Sequence, residues 1–291
     1  MIKNKLHQEL KRIMNKSEWK WKTSDGLEMY SRSWIPEKKT KALVFLVHGF
    51  QEHIGRYDHV GRAFSKAGFS LLGFDMRGHG KSQGLRGHTR SYEILLNDLD
   101  AFIDQMTKKY PDLPYFLYGH SMGGGVVMNF VMRRKTGVKG VIATAPWIKL
   151  AFQPPESKVR LAKIMNKIHP AFSQNTDLEI EGLSRDPKVV RAYARDPLVH
   201  GRISARMFLA LYENGLWILD NAKKLTLPLL LMHGGEDRIV SLEACKEFIN
   251  RNGKKATFHI WDGYFHEIHN EPGQEKVFKA MFDWMGKTIK S

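Results

Sequence analysis

The chain alternates short, continuous apolar runs with amphipathic stretches, and this rhythm constrains the fold more than any other feature. Residues 42–47, 69–74, 115–118 and 138–145 are β-rich apolar runs, and 228–232 and 257–261 repeat the pattern later. An unbroken apolar run suits a strand buried on both faces. Between the runs, 57–67, 92–108, 125–132, 242–250 and 275–289 carry helical spacing. In 92–108, Ile94, Leu95, Leu99, Phe102, Ile103 and Met106 fall on one side. Gly68 is placed to end the first of these helices. Strand and helix in alternation predict an α/β fold, a mostly parallel central sheet flanked by helices on both faces.

Two stretches depart from the rhythm. After Pro146 the alternation stops and returns only at Pro228. Residues 147–217 hold no run that reads as a buried strand; Val159, Ala162, Met165 and Ile168 mark an amphipathic helix, and Pro154, Pro155 and Pro170 punctuate the segment. The expectation is a helical cap inserted above the sheet, with 17–146 and 218–291 forming the core. At the N-terminus, Ile2, Leu6, Leu10, Ile13 and Met14 lie at helical spacing among basic residues, which predicts a basic amphipathic helix over 1–16 that packs on the main domain or touches lipid. Residues 19–34 read as a hairpin turning at Asp25-Gly26.

No run approaches the roughly 18 apolar residues of a membrane span, and no apolar segment follows the basic N-terminus as in a secretory leader. Cys245 is the one cysteine, so no internal disulfide forms, and a cytoplasmic setting is expected. The formal net charge of +16 is spread along the chain. Nucleic-acid binding is not expected, because no nucleic-acid module signature accompanies the charge. Peripheral attraction to an anionic membrane surface fits it better.

The chemistry centres on Gly119-His120-Ser121-Met122-Gly123-Gly124, between one apolar run and the helix that follows. A serine flanked by glycines at a strand-to-helix junction fits a G-x-S-x-G nucleophile elbow. Such a turn holds the hydroxyl out within reach of a base, and its glycines allow the tight backbone. Asp237 follows the next-to-last strand and His266 the last, so the three lie beyond the carboxyl ends of parallel strands, in the order Ser, Asp, His. His266 would serve as general base and Asp237 would orient its ring. Glu236 and His269 are the nearest competitors for those places. An oxyanion hole requires two backbone N–H groups; Met122 after the serine and Phe50 in the loop after 42–47 are the candidates. Asp75, at another strand end before the serine, reads as a loop tie. The histidines lack the second pair of ligands for a zinc site, so no metal and no cofactor are expected.

Five separated stretches carry a resemblance. His48-Gly49-Phe50-Gln51-Glu52-His53-Ile54-Gly55-Arg56-Tyr57 is similar to the HGxxEHxxRY signature of the monoacylglycerol lipase and lysophospholipase-like family of α/β-hydrolases, which are serine aminopeptidase S33-like hydrolases. Asp75 to Ser82, the elbow, Asp196-Pro197-Leu198-Val199 and His266 to Glu271 resemble the same family in the same order. The likeness covers about residues 20–290. It implies an α/β-hydrolase fold with a helical cap, and a serine ester hydrolase acting on monoacylglycerols, with lysophospholipids and other carboxylic esters as variants. It also implies a lipid or ester substrate and a cap able to meet a membrane. Carried over by motif, Glu52 and Arg56 would lie near the polar head of the substrate or hold the entrance loop, and His269 would line the glycerol side. An ion pair of Arg56 with Glu52 that braces the loop is the alternative. The cap, with Phe152, Ile164, Met165, Ile168 and Phe172, is only broadly similar.

Overall fold

The computed structural model describes residues 14–176, 178–253 and 256–290. Strands β1 (Met14–Lys22) and β2 (Glu28–Pro36) form the antiparallel hairpin expected from the tryptophan alternation, turning where Gly26 takes φ +85°. Then come β3 (Leu43–Val47), helix α1 (Asp58–Ala67), β4 (Ser70–Phe74), α2 (Tyr92–Lys109), β5 (Tyr115–His120), α3 (Met122–Arg133) and β6 (Gly140–Thr144). The insertion holds α4 (Glu156–Ile168), β7 (Ser173–Asn175), α5 (Pro187–Arg195) and β8 (Arg202–Ser204). The chain closes with α6 (Ala205–Asp220), β9 (Leu229–Gly234), α7 (Leu242–Asn252), β10 (Ala256–Trp261) and α8 (Gln274–Lys290).

Eight strands form one sheet in the order β1-β2-β4-β3-β5-β6-β9-β10. The first two junctions are antiparallel and the rest parallel. Alternating side chains feed two apolar layers. Leu43, Phe45 and Val47 of β3 join Leu117, Val141, Ala143, Leu229 and Leu231 on the face covered by α2, α3, α6 and α7. Val44 and Leu46 join Phe116, Tyr118, Ile142, Leu230 and Met232 on the face covered by α1 and α8. Both faces are thus buried, as continuous apolar strands require. β10 is the exception: at the sheet edge its burial alternates, and Ile260 is exposed. Helix ends follow local chemistry. Ser91 caps α2 by accepting the Ile94 N–H, and Gly68 (φ +89°) ends α1 by donating to Phe64 and Ser65 carbonyls.

Three expectations need correction. Most of the N-terminal helix expected over 1–16 lies outside the described residues, but 14–16 belong to β1, with Met14 opposite Pro36. Cross-strand pairing with β2 overrides helical spacing there. The cap is not purely helical: β7 and β8 pair antiparallel within it. The boundary at 217 falls inside α6, whose Met207, Leu211, Ile218 and Leu219 join the core layer. A Cβ on Gly215 would lie 2.3 Å from the Ile148 carbonyl oxygen, so α6 packs closely on the segment after β6 as well as joining the core layer.

Candidate active site

Ser121 sits between β5 and α3 with φ +51° and ψ −116°, a region few L-residues occupy. The surroundings hold it there. Its N–H donates to Thr144 O at the end of β6 (2.9 Å), and its carbonyl accepts from Gly125 (3.1 Å) and Trp147 (2.9 Å). The adjoining glycines are required by contact: a Cβ on Gly123 would lie 2.0 Å from Val47 O, and one on Gly119 would lie 2.2 Å from Gly123 O. The elbow is wedged against the end of β3. Strain of this kind persists where packing over-determines it, and such places are often reactive ones.

Asp237, after β9, has a fully buried side chain. Its Oδ1 accepts from the N–H groups of Ile239 (2.8 Å) and Val240 (3.1 Å), and its Oδ2 lies 2.7 Å from His266 Nδ1. The carboxylate therefore fixes His266 with Nδ1 as donor and leaves Nε2 free to act as a base. Burial alone would push His266 down, but Asp237 at hydrogen-bonding distance holds it above the ordinary imidazole value. Burial likewise opposes the Asp237 charge, and His266 outweighs it and keeps the carboxyl below its usual range. Ser121 and His266 line the same cavity. Glu236 points to solvent, and His269 lies behind His120, so neither takes the place of Asp237 or His266.

The loop after β3 passes beside Ser121: a Cβ on Gly49 would lie 3.4 Å from Ser121 Cβ. Phe50 follows in this loop and Met122 opens α3. Among the described residues neither of their N–H groups donates to a protein acceptor. Two free donors beside one serine form a candidate oxyanion hole.

Glu52 borders the cavity, but Arg56 and His269 do not. Arg56 is turned inward as a clamp. Its guanidinium binds Glu267 through both oxygens (2.6 and 2.8 Å) and Glu52 Oε2 (2.6 Å), and it stacks over Tyr193 of α5. Glu52 Oε1 accepts from Gly49 N–H (2.6 Å) and Tyr57 Oη (2.7 Å). Burial would raise the Glu267 carboxyl, yet Arg56 holds it down to about 2. Burial also pushes Glu52 above the ordinary range; Arg56 opposes it while Glu267 adds to it. Arg56 therefore ties the Phe50 loop to the His266 loop and does not line the cavity. His269 stacks on Tyr57 (4.9 Å between rings) and meets His120 edge-on, wholly inside the protein. Asp75 ties its loop, accepting from Ile54 (2.7 Å) and Lys81 (2.7 Å) N–H groups. Glu267, Tyr193 and Gln51 escaped the sequence reading as site residues; position beside His266 was the one available signal for Glu267.

The cavity has a volume of about 410 Å³. Apolar side chains, among them Phe152, Leu161, Met165, Phe172 and Phe208, make up most of its lining. Polar side chains, among them Gln51, Asn175 and Thr176, complete it. No cluster of three or more His, Cys, Asp or Glu suited to a metal occurs among the described residues.

The sequence profile described as serine aminopeptidase, S33, matches residues 38–273. The chain belongs to that hydrolase family. This hydrolase is 32% identical over 272 residues to the monoacylglycerol lipase of Mycolicibacterium smegmatis, covering 93% of its own length and 97% of the relative's. It is equally similar to an uncharacterized abhydrolase domain-containing protein of Dictyostelium discoideum, of whose length it spans 29%. It superposes on the crystal structure of a Paleococcus ferrophilus monoacylglycerol lipase with a TM-score of 0.78 at 30% identity, covering 95% of this chain and 98% of that one. The fold is that of the α/β-hydrolases, and the protein is a carboxylic ester hydrolase of the monoglyceride lipase type.

Proposed function

We propose that this hydrolase cleaves the acyl ester of monoacylglycerols, with Ser121, His266 and Asp237 as its catalytic triad. One observation carries the reading: Ser121 and an Asp237-oriented His266 open onto a single cavity whose lining is mostly apolar with a smaller polar part that includes Gln51, Asn175 and Thr176. A fatty acyl chain and a small polyol are the two halves of such an ester. His266 Nε2 takes the Ser121 proton as Oγ attacks the carbonyl carbon. The Phe50 and Met122 N–H groups receive the oxyanion. When the tetrahedral species collapses, the ester C–O bond breaks and the alcohol leaves with the proton from His266. Water, deprotonated by His266, then cleaves the acyl-enzyme to the fatty acid and restores Ser121.

The cap supports a second part of the reading, contact with an anionic membrane surface. Helix α4 buries no residue; Leu161, Ile164 and Ile168 are exposed with Phe152 and Phe172, beside Lys158, Lys163 and Lys167. Apolar side chains flanked by lysines suit insertion among acidic headgroups.

A fluorophosphonate probe tests the chemistry. Wild-type protein is expected to be labelled at Ser121 and to hydrolyse 1-monoacylglycerols. Ser121→Ala should lose both labelling and turnover while melting at the same temperature. Label elsewhere, or turnover retained in Ser121→Ala, would sink the assignment. Equal or better turnover of lysophospholipids would replace the substrate while keeping the triad.

A further inference from the structure

Gln51 follows the oxyanion donor Phe50 and is unlike its neighbours in two respects. It is a non-glycine residue at φ +68°, and it is 2% exposed although it lies in a loop. Two hydrogen bonds fix it: its Nε2 donates to Thr176 Oγ1 in the cap (2.5 Å), and its carbonyl accepts the His200 N–H (3.3 Å). A strained backbone tied at both ends is a fixed wall rather than a mobile loop.

The position of that wall matters. A second cavity of about 390 Å³ adjoins the catalytic one, and Gln51, Asn175, Thr176, Leu178 and Tyr193 border both. The second cavity adds Asp196 and His200. Asp196 is engaged by His53 (2.9 Å), and the His200 ring packs on His79 and Phe50. The space beyond Gln51 is lined by Asn175, Thr176 and Asp196 together with Leu178, Ile180 and Val199, a larger polar share than in the catalytic cavity, which suits the hydroxyls of an alcohol better than an acyl chain.

We propose that Gln51 determines specificity for the alcohol half of the ester: held by Thr176, it closes the catalytic cavity against the adjoining, more polar cavity and limits the leaving group to a small alcohol. The inference rests on the ester-hydrolase reading above and adds the residue that sets leaving-group size. The adjoining cavity supplies room for a larger polyol once the glutamine side chain is removed.

The test uses the full chain as wild type, Gln51→Gly and Thr176→Val, on octanoyl esters of ethanol, glycerol and diglycerol. Glycine accepts φ +68° without strain, so Gln51→Gly removes the side chain and keeps the loop. Thr176→Val keeps the bulk and removes the acceptor. In Gln51→Gly the ratio of kcat/KM for the diglycerol ester to that for the ethyl ester should rise on the order of tenfold. Thr176→Val should move the same ratio in the same direction by a smaller factor. An unchanged ratio in Gln51→Gly, or an equal fall on all three esters, would overturn the wall and leave Gln51 as a brace. A wild-type protein inert on every ester would instead defeat the hydrolase reading itself.

Discussion

Asp237 divides its two oxygens between backbone and base. Oδ1 is fixed by two N–H groups and Oδ2 faces His266, so the carboxylate cannot turn without losing both. Because His266 is held above the ordinary imidazole range, its protonated form persists to higher pH. In the proposed mechanism only the neutral ring takes the Ser121 proton, so the acid limb of kcat/KM should fall with a midpoint above the ordinary value of about 6.5. The sign for stability is the opposite: a raised folded pKa stabilises the fold below the unfolded pKa, and this contribution is lost as pH rises through the folded value. Asp237→Asn should move the acid limb to lower pH and reduce kcat on the order of 10⁴-fold, read from a pH–rate series. An unmoved acid limb would show that another group titrates. The places of Ser121, Asp237 and His266 were legible in the sequence because each follows a strand of one parallel sheet, which brings distant loops to one edge. The Arg56–Glu52 ion pair was one of the two readings of its motif and is present, whereas the buried place of His269 was not legible in this way. A motif fixes loop spacing but not the direction of a side chain, and Arg56 turns inward because Glu267, far along the chain, offers it a bidentate partner.

At the scale of elements, the junction of β5 and α3 leaves no room for a side chain. Gly123→Ala would put a Cβ on the Val47 carbonyl oxygen, backbone that cannot move without shifting β3. It should destabilise by about 2 kcal/mol or more and lower activity with it, because the same displacement moves Ser121. Gly286 in α8 is the internal control: a Cβ there meets nothing within 4 Å. Gly286→Ala should stabilise by about 0.5–1 kcal/mol through helix propensity alone. Thermal unfolding of the two variants checks both, and equal effects would mean that contact at the elbow is not what excludes a Cβ. The core strands were readable from their apolar runs, and the hairpin from Trp19 and Trp21. The cap strands were not. Ser173-Gln174-Asn175 has no strand signal of its own and is extended because β8 pairs with it. No helix was expected over 205–220, so the insertion was closed at 217 inside α6, whose burial of Ile218 and Leu219 carries it on to Asp220.

At the scale of the molecule, the apolar and basic residues of α4 set how the protein would meet a lipid surface. Ile164→Ser/Ile168→Ser changes two exposed side chains that do not line the cavity. Binding to vesicles rich in phosphatidylglycerol should fall on the order of tenfold by sedimentation, and wild-type binding should weaken as salt rises. Unaltered sedimentation would place the contact elsewhere. The Arg56 clamp has a consequence for the protein while it is being made. The nucleophile elbow and the Phe50 loop are complete long before Glu267 and His266 have been synthesised. A chain that stops before His266 therefore lacks the base of the proposed triad and leaves Arg56 with only one of its two carboxylates. Under the proposed mechanism hydrolytic competence should be withheld until the segment bearing His266 and Glu267 docks, and a product truncated before it should be inert rather than a leaky esterase.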